Sequence, residues 1–302
     1  MKALVISGGG SKGAFAGGVA QFLIQDCKKQ YDMFIGTSAG SLLVSLLSLG
    51  NIEKLKSIFT SVTQSDIFNV NPFIIYKKND VNYTRINHLG IVRMFLKGKK
   101  TFGESLNLRD LIRKFLTKED FLKMKNAGPD VVVTVSNLTS MQMEYKSVKN
   151  CTYEDYCDWI WASSNVVPFM SLLQKNDFEY ADGGLGNLVP VSHAIEMGAT
   201  DIDVIILKTE KYTVKKPPVH NALELIESVF DFMLNQIQID DMIIGRMEGL
   251  QKNVNLNIYQ PPESLTDNSL IFDPVKMKEW WSSGLEYARE NSPDCHCIKA
   301  VV

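Results

Sequence analysis

Met33-Phe34-Ile35-Gly36-Thr37-Ser38-Ala39-Gly40-Ser41-Leu42-Leu43-Val44 sets Ser38 between a short apolar run and a longer one that continues to Leu49. The short run reads as a buried strand over residues 32–35, and the longer one as a buried helix over residues 41–49. A serine at the sharp turn between strand and helix is pushed out of the backbone. Gly36 and Gly40 remove the side chains that would block that turn. Such a serine can be a nucleophile. Gly-x-Ser-x-Gly occurs by chance in many chains, so the weight rests on its placement and on what flanks it.

Upstream, residues 3–7 read as a first strand. They run into Gly8-Gly9-Gly10-Ser11-Lys12-Gly13, which opens a helix expected over residues 12–27. A glycine-rich loop at a helix N-terminus exposes backbone N–H groups and carries partial positive charge, so it suits an anion. Gly8-x-Gly10-x-x-Gly13 matches the dinucleotide fingerprint literally. That fingerprint expects an acidic residue at the end of the second strand, and Asp32 stands at its beginning. A Walker A loop is excluded because Gly-Lys-Ser/Thr is missing. The remaining anion is the oxyanion of an acyl-transfer intermediate, which needs N–H donors close to a nucleophile. Adjacent parallel strands would bring the glycine loop and Ser38 together at the carboxyl edge of the sheet.

A serine hydroxyl needs a base. The chain has His88, His193, His220 and His296. His193, after Val189-Pro190-Val191, is the best placed, and its bland reading is a helix-surface residue. Asp182 follows the strand-like Phe178-Glu179-Tyr180-Ala181 and precedes Gly183-Gly184. That turn can aim a carboxylate into a site, although a lone Asp-Gly-Gly also reads as a simple turn start. The residues by themselves place Asp182 better than His193 without deciding between them.

Together, the loop at residues 8–13, Gly36-Thr37-Ser38-Ala39-Gly40 and Asp182-Gly183-Gly184 resemble, in order, the three motifs of the patatin-like phospholipases. Ala162-Ser163-Ser164 with Pro168 resembles another recurring segment of that family. The resemblance covers roughly residues 1–210. Lys12 stands where many members carry Arg, which keeps the charge but not the bidentate geometry. The resemblance implies a lipid acyl hydrolase that cleaves carboxylic esters of phospholipids or other lipids through an acyl-serine. It makes Ser38 the nucleophile and Asp182 the base, with no histidine, metal or cofactor. Gly8, Gly9, Gly10 and Ser11 would form the oxyanion hole, supported by Lys12, Gly13, Gly36, Gly40, Gly183 and Gly184. Two alternatives stand beside it. One is a histidine-dependent α/β-hydrolase esterase with His193 or His220 beside Ser38. The other is a catalytically idle lipid-binding scaffold.

The rest of the chain fits that frame. Strands over residues 130–138 and 201–207, an antiparallel neighbour over 141–148 and a helix over 153–163 continue the alternation. This predicts an α/β fold, a three-layer α/β/α sandwich with a mostly parallel central sheet. Residues 1–210 form the expected catalytic domain, and residues 51–125 an insertion of helices and loops without a clear strand. Residues 211–302 read as a mainly helical C-terminal region packed on it. Its long helix, over about residues 221–250, carries Leu223, Ile226, Phe230, Met233, Ile237, Ile244 and Met247 three and four apart. That stripe either packs on the sheet domain or turns partly to lipid or a partner chain. A last helix is expected from Pro274, capped by Asp273.

With 302 residues, 45% of them hydrophobic and 22% charged, the chain can bury a large core. A net charge of −2 gives no reason to expect nucleic-acid binding. No run reaches the roughly 18–20 apolar residues of a membrane span, and Ala3-Leu4-Val5-Ile6 is too short for a signal peptide. Five dispersed cysteines suggest a reduced, cytoplasmic setting. Asp294-Cys295-His296-Cys297 reads as a floppy tail rather than a metal site. The expected partner is a lipid or fatty-acyl ester. Peripheral membrane contact is expected from that substrate class alone, since no basic patch stands out.

Overall fold

Alternation along the strands decides the layers. Leu4, Ile6, Phe34, Val131 and Val133 enter one buried cluster, and Ala3, Val5, Met33, Ile35 and Val132 another, so the two faces of one sheet are both covered. The computed structural model describes residues 1–78, 81–209, 218–219 and 221–292. In chain order its first elements are β1 (Lys2–Ile6), α1 (Gly13–Gln21), β2 (Met33–Gly36), α2 (Ala39–Leu47), α3 (Ile52–Phe59) and α4 (Gln64–Ile67). Then come β3 (Phe73–Lys78), β4 (Val81–Ile86), α5 (His88–Leu96), α6 (Leu106–Phe115), α7 (Lys118–Ala127), β5 (Asp130–Asn137) and β6 (Gln142–Ser147). The remainder is α8 (Tyr153–Ser163), β7 (Leu173–Lys175), β8 (Phe178–Asp182), α9 (Val191–Glu196), β9 (Asp201–Ile205), α10 (Ala222–Lys252), β10 (Asn255–Tyr259) and α11 (Pro274–Asn291).

The main sheet runs β10-β9-β1-β2-β5-β8-β7, with β6 on β5. From β10 to β5 every pairing is parallel; β6, β8 and β7 pair antiparallel. This is the expected mixed, mostly parallel α/β sheet. Strand β5 meets β2 over Asp130–Val133 and β8 over Val135–Asn137, while β6 runs along Val132–Asn137. Because β6 overlaps both registers, β2 and β8 share the opposite edge of β5. They approach each other there carboxyl end to carboxyl end.

On one face, α1 and α11 pack so closely that a Cβ at Gly18 would overlap the Trp281 carbonyl. Trp281 is fully buried and donates its indole N–H to Gln21 Oε1 at 2.7 Å. Asp273 caps α11 as the sequence suggests, accepting from the Val275 N–H at 3.0 Å. On the other face, α9 and α10 cover the sheet.

Two expectations need correction. Residues 51–125 do contain strands, the hairpin β3–β4. Phe73-Ile74-Ile75-Tyr76 has the right residue types, but Lys77-Lys78 follow at once and the ribbon lies off the main sheet, so no long apolar alternation marks it in the sequence. Residues 211–302, though mainly helical among those described, also supply β10, which extends the sheet past β9. Asn255-Leu256-Asn257-Ile258-Tyr259 alternates with period two, but it is a short edge strand after a very long helix. Along α10 the apolar stripe divides. Ile226, Phe230 and Ile237 are half-buried, whereas Met233, Ile244 and Met247 face water. The side chain of Leu223 lies outside the described set. Among the described residues no helix is long and apolar enough to cross a membrane.

Candidate active site

Register places the three motifs at one level. Ile6 pairs with Gly36, and Gly36 with Val133, so Gly8, Ser38 and Val135 lie two residues beyond one line across the sheet. Asp182 pairs with Val135. The head-to-head approach of β2 and β8 therefore delivers Ser38 and Asp182 to the same point. The step between them is filled by Thr134, whose hydroxyl lies 2.6 Å from that of Thr37. Gly183 packs so tightly on Thr134 that no side chain fits there.

Ser38 has φ 54° and ψ −121°, a backbone region that costs a non-glycine residue roughly 1–3 kcal/mol. It persists because neighbours hold both of its peptide groups. The Ser38 N–H donates to Ser163 Oγ at 3.0 Å, and its carbonyl accepts from Ser41 Oγ at 2.6 Å and Ser164 Oγ at 3.2 Å. The end of α8 thus clamps the turn. The next residue, Asn165, accepts the Asp182 N–H at 3.0 Å through its own carbonyl, so one short segment sets both side chains. Ser136 Oγ donates to the Asp182 carbonyl at 2.8 Å.

Asp182 is 4% exposed and Ser38 6%. One carboxylate oxygen, Oδ1, accepts from the Gly184 N–H at 2.7 Å. The other, Oδ2, has no aligned hydrogen-bond partner. The Ser38 hydroxyl is nevertheless close enough to favour the charged carboxylate, and an approaching hydroxyl proton has Oδ2 to go to. Burial pushes the Asp182 pKa up to about 7, against the smaller opposing pull of the Ser38 hydroxyl and the Gly184 N–H.

The glycine loop divides its donors. Gly8 N–H is bound to the Leu188 carbonyl at 3.2 Å, and Ser11 N–H to the Ser269 carbonyl at 2.9 Å. Among the described residues, the N–H groups of Gly9 and Gly10 take no such partner. Of the four residues the sequence suggests for an oxyanion hole, Gly9 and Gly10 thus keep N–H groups without a backbone partner among the described residues. Gly10 has φ +55°, and a Cβ on it would overlap the Ser269 carbonyl. Leu188 is itself tied to α10, since Asp241 accepts the N–H groups of Leu188 and Val189 at 2.7 and 2.9 Å.

A cavity of about 420 Å³ opens over these groups and is lined by Gly8, Gly9, Gly10, Lys12, Ser38 and Asp182. Its lining is mostly apolar and includes Leu42, Phe59, Val62, Leu108, Phe115 and Met170. Polar lining comes from Lys208, Thr209, Asp231, Asn235 and Asp267 among others. Of the supporting residues, Gly36 and Gly40 let the turn close on β1, and Gly13 opens α1 beneath the loop.

His193 sits elsewhere. It lies on α9 with its ring stacked on Tyr145 at 3.7 Å and does not line this cavity. His220, His296 and the Cys295-x-Cys297 tail lie outside the described residues. Sequence reasoning singled out Ser163 and Ser164 without a role, and it missed Asn165, Thr134 and Ser136. Their part depends on contacts across the sheet that no local pattern marks.

Comparison with known proteins gives three findings. Curated proteins give no match. Among solved structures, VipD from Legionella pneumophila aligns with 13% identity and a TM-score of 0.47, covering 96% of this chain and 66% of that one. The chain thus spans just under two thirds of that protein's length. The model of the family described as patatin-like phospholipase matches residues 4–195, well over half of the chain. That match takes in the glycine loop, the Ser38 elbow and Asp182, and by it the chain belongs to the patatin-like phospholipase family.

Proposed function

We propose that the protein is a lipid acyl hydrolase that works through a Ser38–Asp182 dyad. The observation that carries this reading is the juxtaposition itself: a strained serine and a buried carboxylate with a vacant oxygen, at the meeting point of two strand ends. Asp182 Oδ2 accepts the hydroxyl proton as Ser38 Oγ attacks the ester carbonyl carbon. The carbonyl oxygen takes the negative charge toward the free N–H groups of Gly9 and Gly10. Asp182 then returns the proton to the leaving alcohol as the C–O bond breaks, leaving acyl-Ser38. Water, deprotonated by Asp182, attacks the acyl carbon and releases the fatty acid with Ser38 restored. The apolar lining of the cavity suits an acyl chain, and its polar residues give a head group hydrogen-bonding partners.

The test is acyl release across phospholipids, lysophospholipids and neutral lipids, with Ser38→Ala as the control. Turnover by the wild type and none by the variant is expected. A wild type inert toward the whole panel would sink the proposal.

A base with a pKa of about 7 fits the task better than an ordinary aspartate. Asp182 must be ionised to accept the proton, so kcat/KM on a soluble ester should rise about tenfold per pH unit below 7 and level off above it. A flat profile between pH 5 and 8 would contradict its role as the base. Ser163→Ala leaves the Ser38 N–H without its acceptor. It should lower kcat roughly ten- to a hundredfold by loosening the turn, with little change in KM. Steady-state kinetics would show this, and an unchanged kcat would free Ser163 from any positioning role.

A further inference from the structure

Residues 81–103 carry Arg85, Arg93, Lys97, Lys99 and Lys100 and no Asp or Glu, in a chain whose net charge is −2. Arg85 lies on β4, and the other four fall within residues 93–100. Arg93 lies on α5, and Lys97, Lys99 and Lys100 follow directly at its C-terminal end. Lys99 and Lys100 pair with Glu104 and Glu179. Among the described residues, Arg93 and Lys97 make no ion pair and are exposed.

The same helix is apolar on both sides. Ile91 and Met94 enter the core. Leu89 and Leu96 are 86% and 83% exposed, and Val92 between them also faces water. Residues 89, 92, 93 and 96 recur three and four apart, so the three apolar side chains and Arg93 share one outer face. An exposed helix face that groups three large apolar side chains beside a cation marks a surface made to meet something.

Phe95 joins this face to the interior. Its ring meets Phe102 edge-on at 5.9 Å, and Phe102 meets Phe169 at 5.7 Å. The next residue, Met170, lines the cavity above Ser38. Phe169 also meets Phe230 of α10 at 6.1 Å. The patch is therefore continuous with the wall of the site.

We propose that the outer face of α5 and the basic turn after it dock the protein on an anionic lipid bilayer. Apolar side chains set to enter the acyl boundary, with cations beside them at head-group level, are what such a surface recognises. A second copy fits poorly, because a two-fold contact through this face would bring the basic cluster against itself. The purpose of the docking rests on the lipid-ester reading above, but the binding does not depend on turnover.

The test uses the full chain carrying Ser38→Ala. Its co-sedimentation with vesicles of phosphatidylcholine and phosphatidylglycerol in equal parts is compared with that on phosphatidylcholine alone. Binding should favour the anionic vesicles and weaken with added salt. Arg93→Gln with Lys97→Gln should weaken it roughly tenfold or more. Leu89→Asp with Leu96→Asp should abolish it, and the exposure of both leucines makes folding of that variant easy to keep. The same substitutions with Ser38 intact should leave turnover of a monomeric short-chain ester unchanged. No binding by the parent, equal binding by the variants, or loss of the soluble-ester activity would overturn the proposal. So would a dimer, seen by light scattering, that the leucine variant abolishes. Vesicle binding by a protein that hydrolyses no ester would keep the docking and remove the enzymatic reading.

Discussion

Asp182→Asn is expected to lower kcat on the order of 10³–10⁴-fold and, at the same time, to make the protein more stable above pH 7. The rate falls because an amide cannot take the Ser38 proton. The gain in stability comes from the same burial that makes the carboxylate a useful base. Asp182 titrates near 3.8 in an unfolded chain and at about 7 in the fold. Between those values the folded state holds a proton that the unfolded state has released, so stability falls as pH rises through the window. A shift of this size corresponds to on the order of 4 kcal/mol, fully felt above pH 7 and absent below pH 4. Asn keeps an oxygen for the Gly184 N–H and has no charge to desolvate. Thermal melts of both proteins at pH 4 and pH 8 check this. The variant should melt several degrees higher at pH 8, and the gap should close at pH 4. A wild type as stable as the variant at pH 8 would mean that Asp182 is not held at a cost.

Gly10→Ala is expected to cost on the order of 10²–10³ in kcat while Ser38 and Asp182 stay in place. Gly10 has a positive φ, and its added Cβ would overlap the Ser269 carbonyl, so the loop must shift and carry its free N–H with it. Gly50→Ala provides the control, since Gly50 has φ +69° with open space around it. Both variants bear backbone strain of roughly 1 kcal/mol or more, but only Gly10→Ala should lose turnover. Equal activity in the two would remove the glycine loop from the mechanism.

The Ser38 elbow was legible because everything that makes it is local: an apolar strand, two glycines and an apolar helix within 17 residues of each other. Strands β1, β5 and β9 were legible for the same reason, as short runs of buried aliphatic residues. The partner of Ser38 was not. Asp182 was better placed than His193 along the chain without excluding it, and only the pairing of β8 with the edge of β5 that β2 vacates brings the carboxylate to the serine. The hydrogen bonds that withdraw Gly8 and Ser11 come from Leu188 and Ser269, some 180 and 258 residues away. Strand β10 stayed hidden because an edge strand of five residues needs its neighbour to define it. The basic run over residues 93–100 is local, but only the structure shows that Leu89, Val92 and Leu96 beside it face water.

The central claim is that Ser38 carries the acyl group. Rapid quenching of wild-type enzyme during turnover of a reactive fatty-acyl ester, followed by peptide mass mapping, tests it most directly. An acyl adduct on the peptide containing Ser38, absent in Ser38→Ala, is the predicted result. Continued hydrolysis by Ser38→Ala, or an adduct on any other residue, would contradict it.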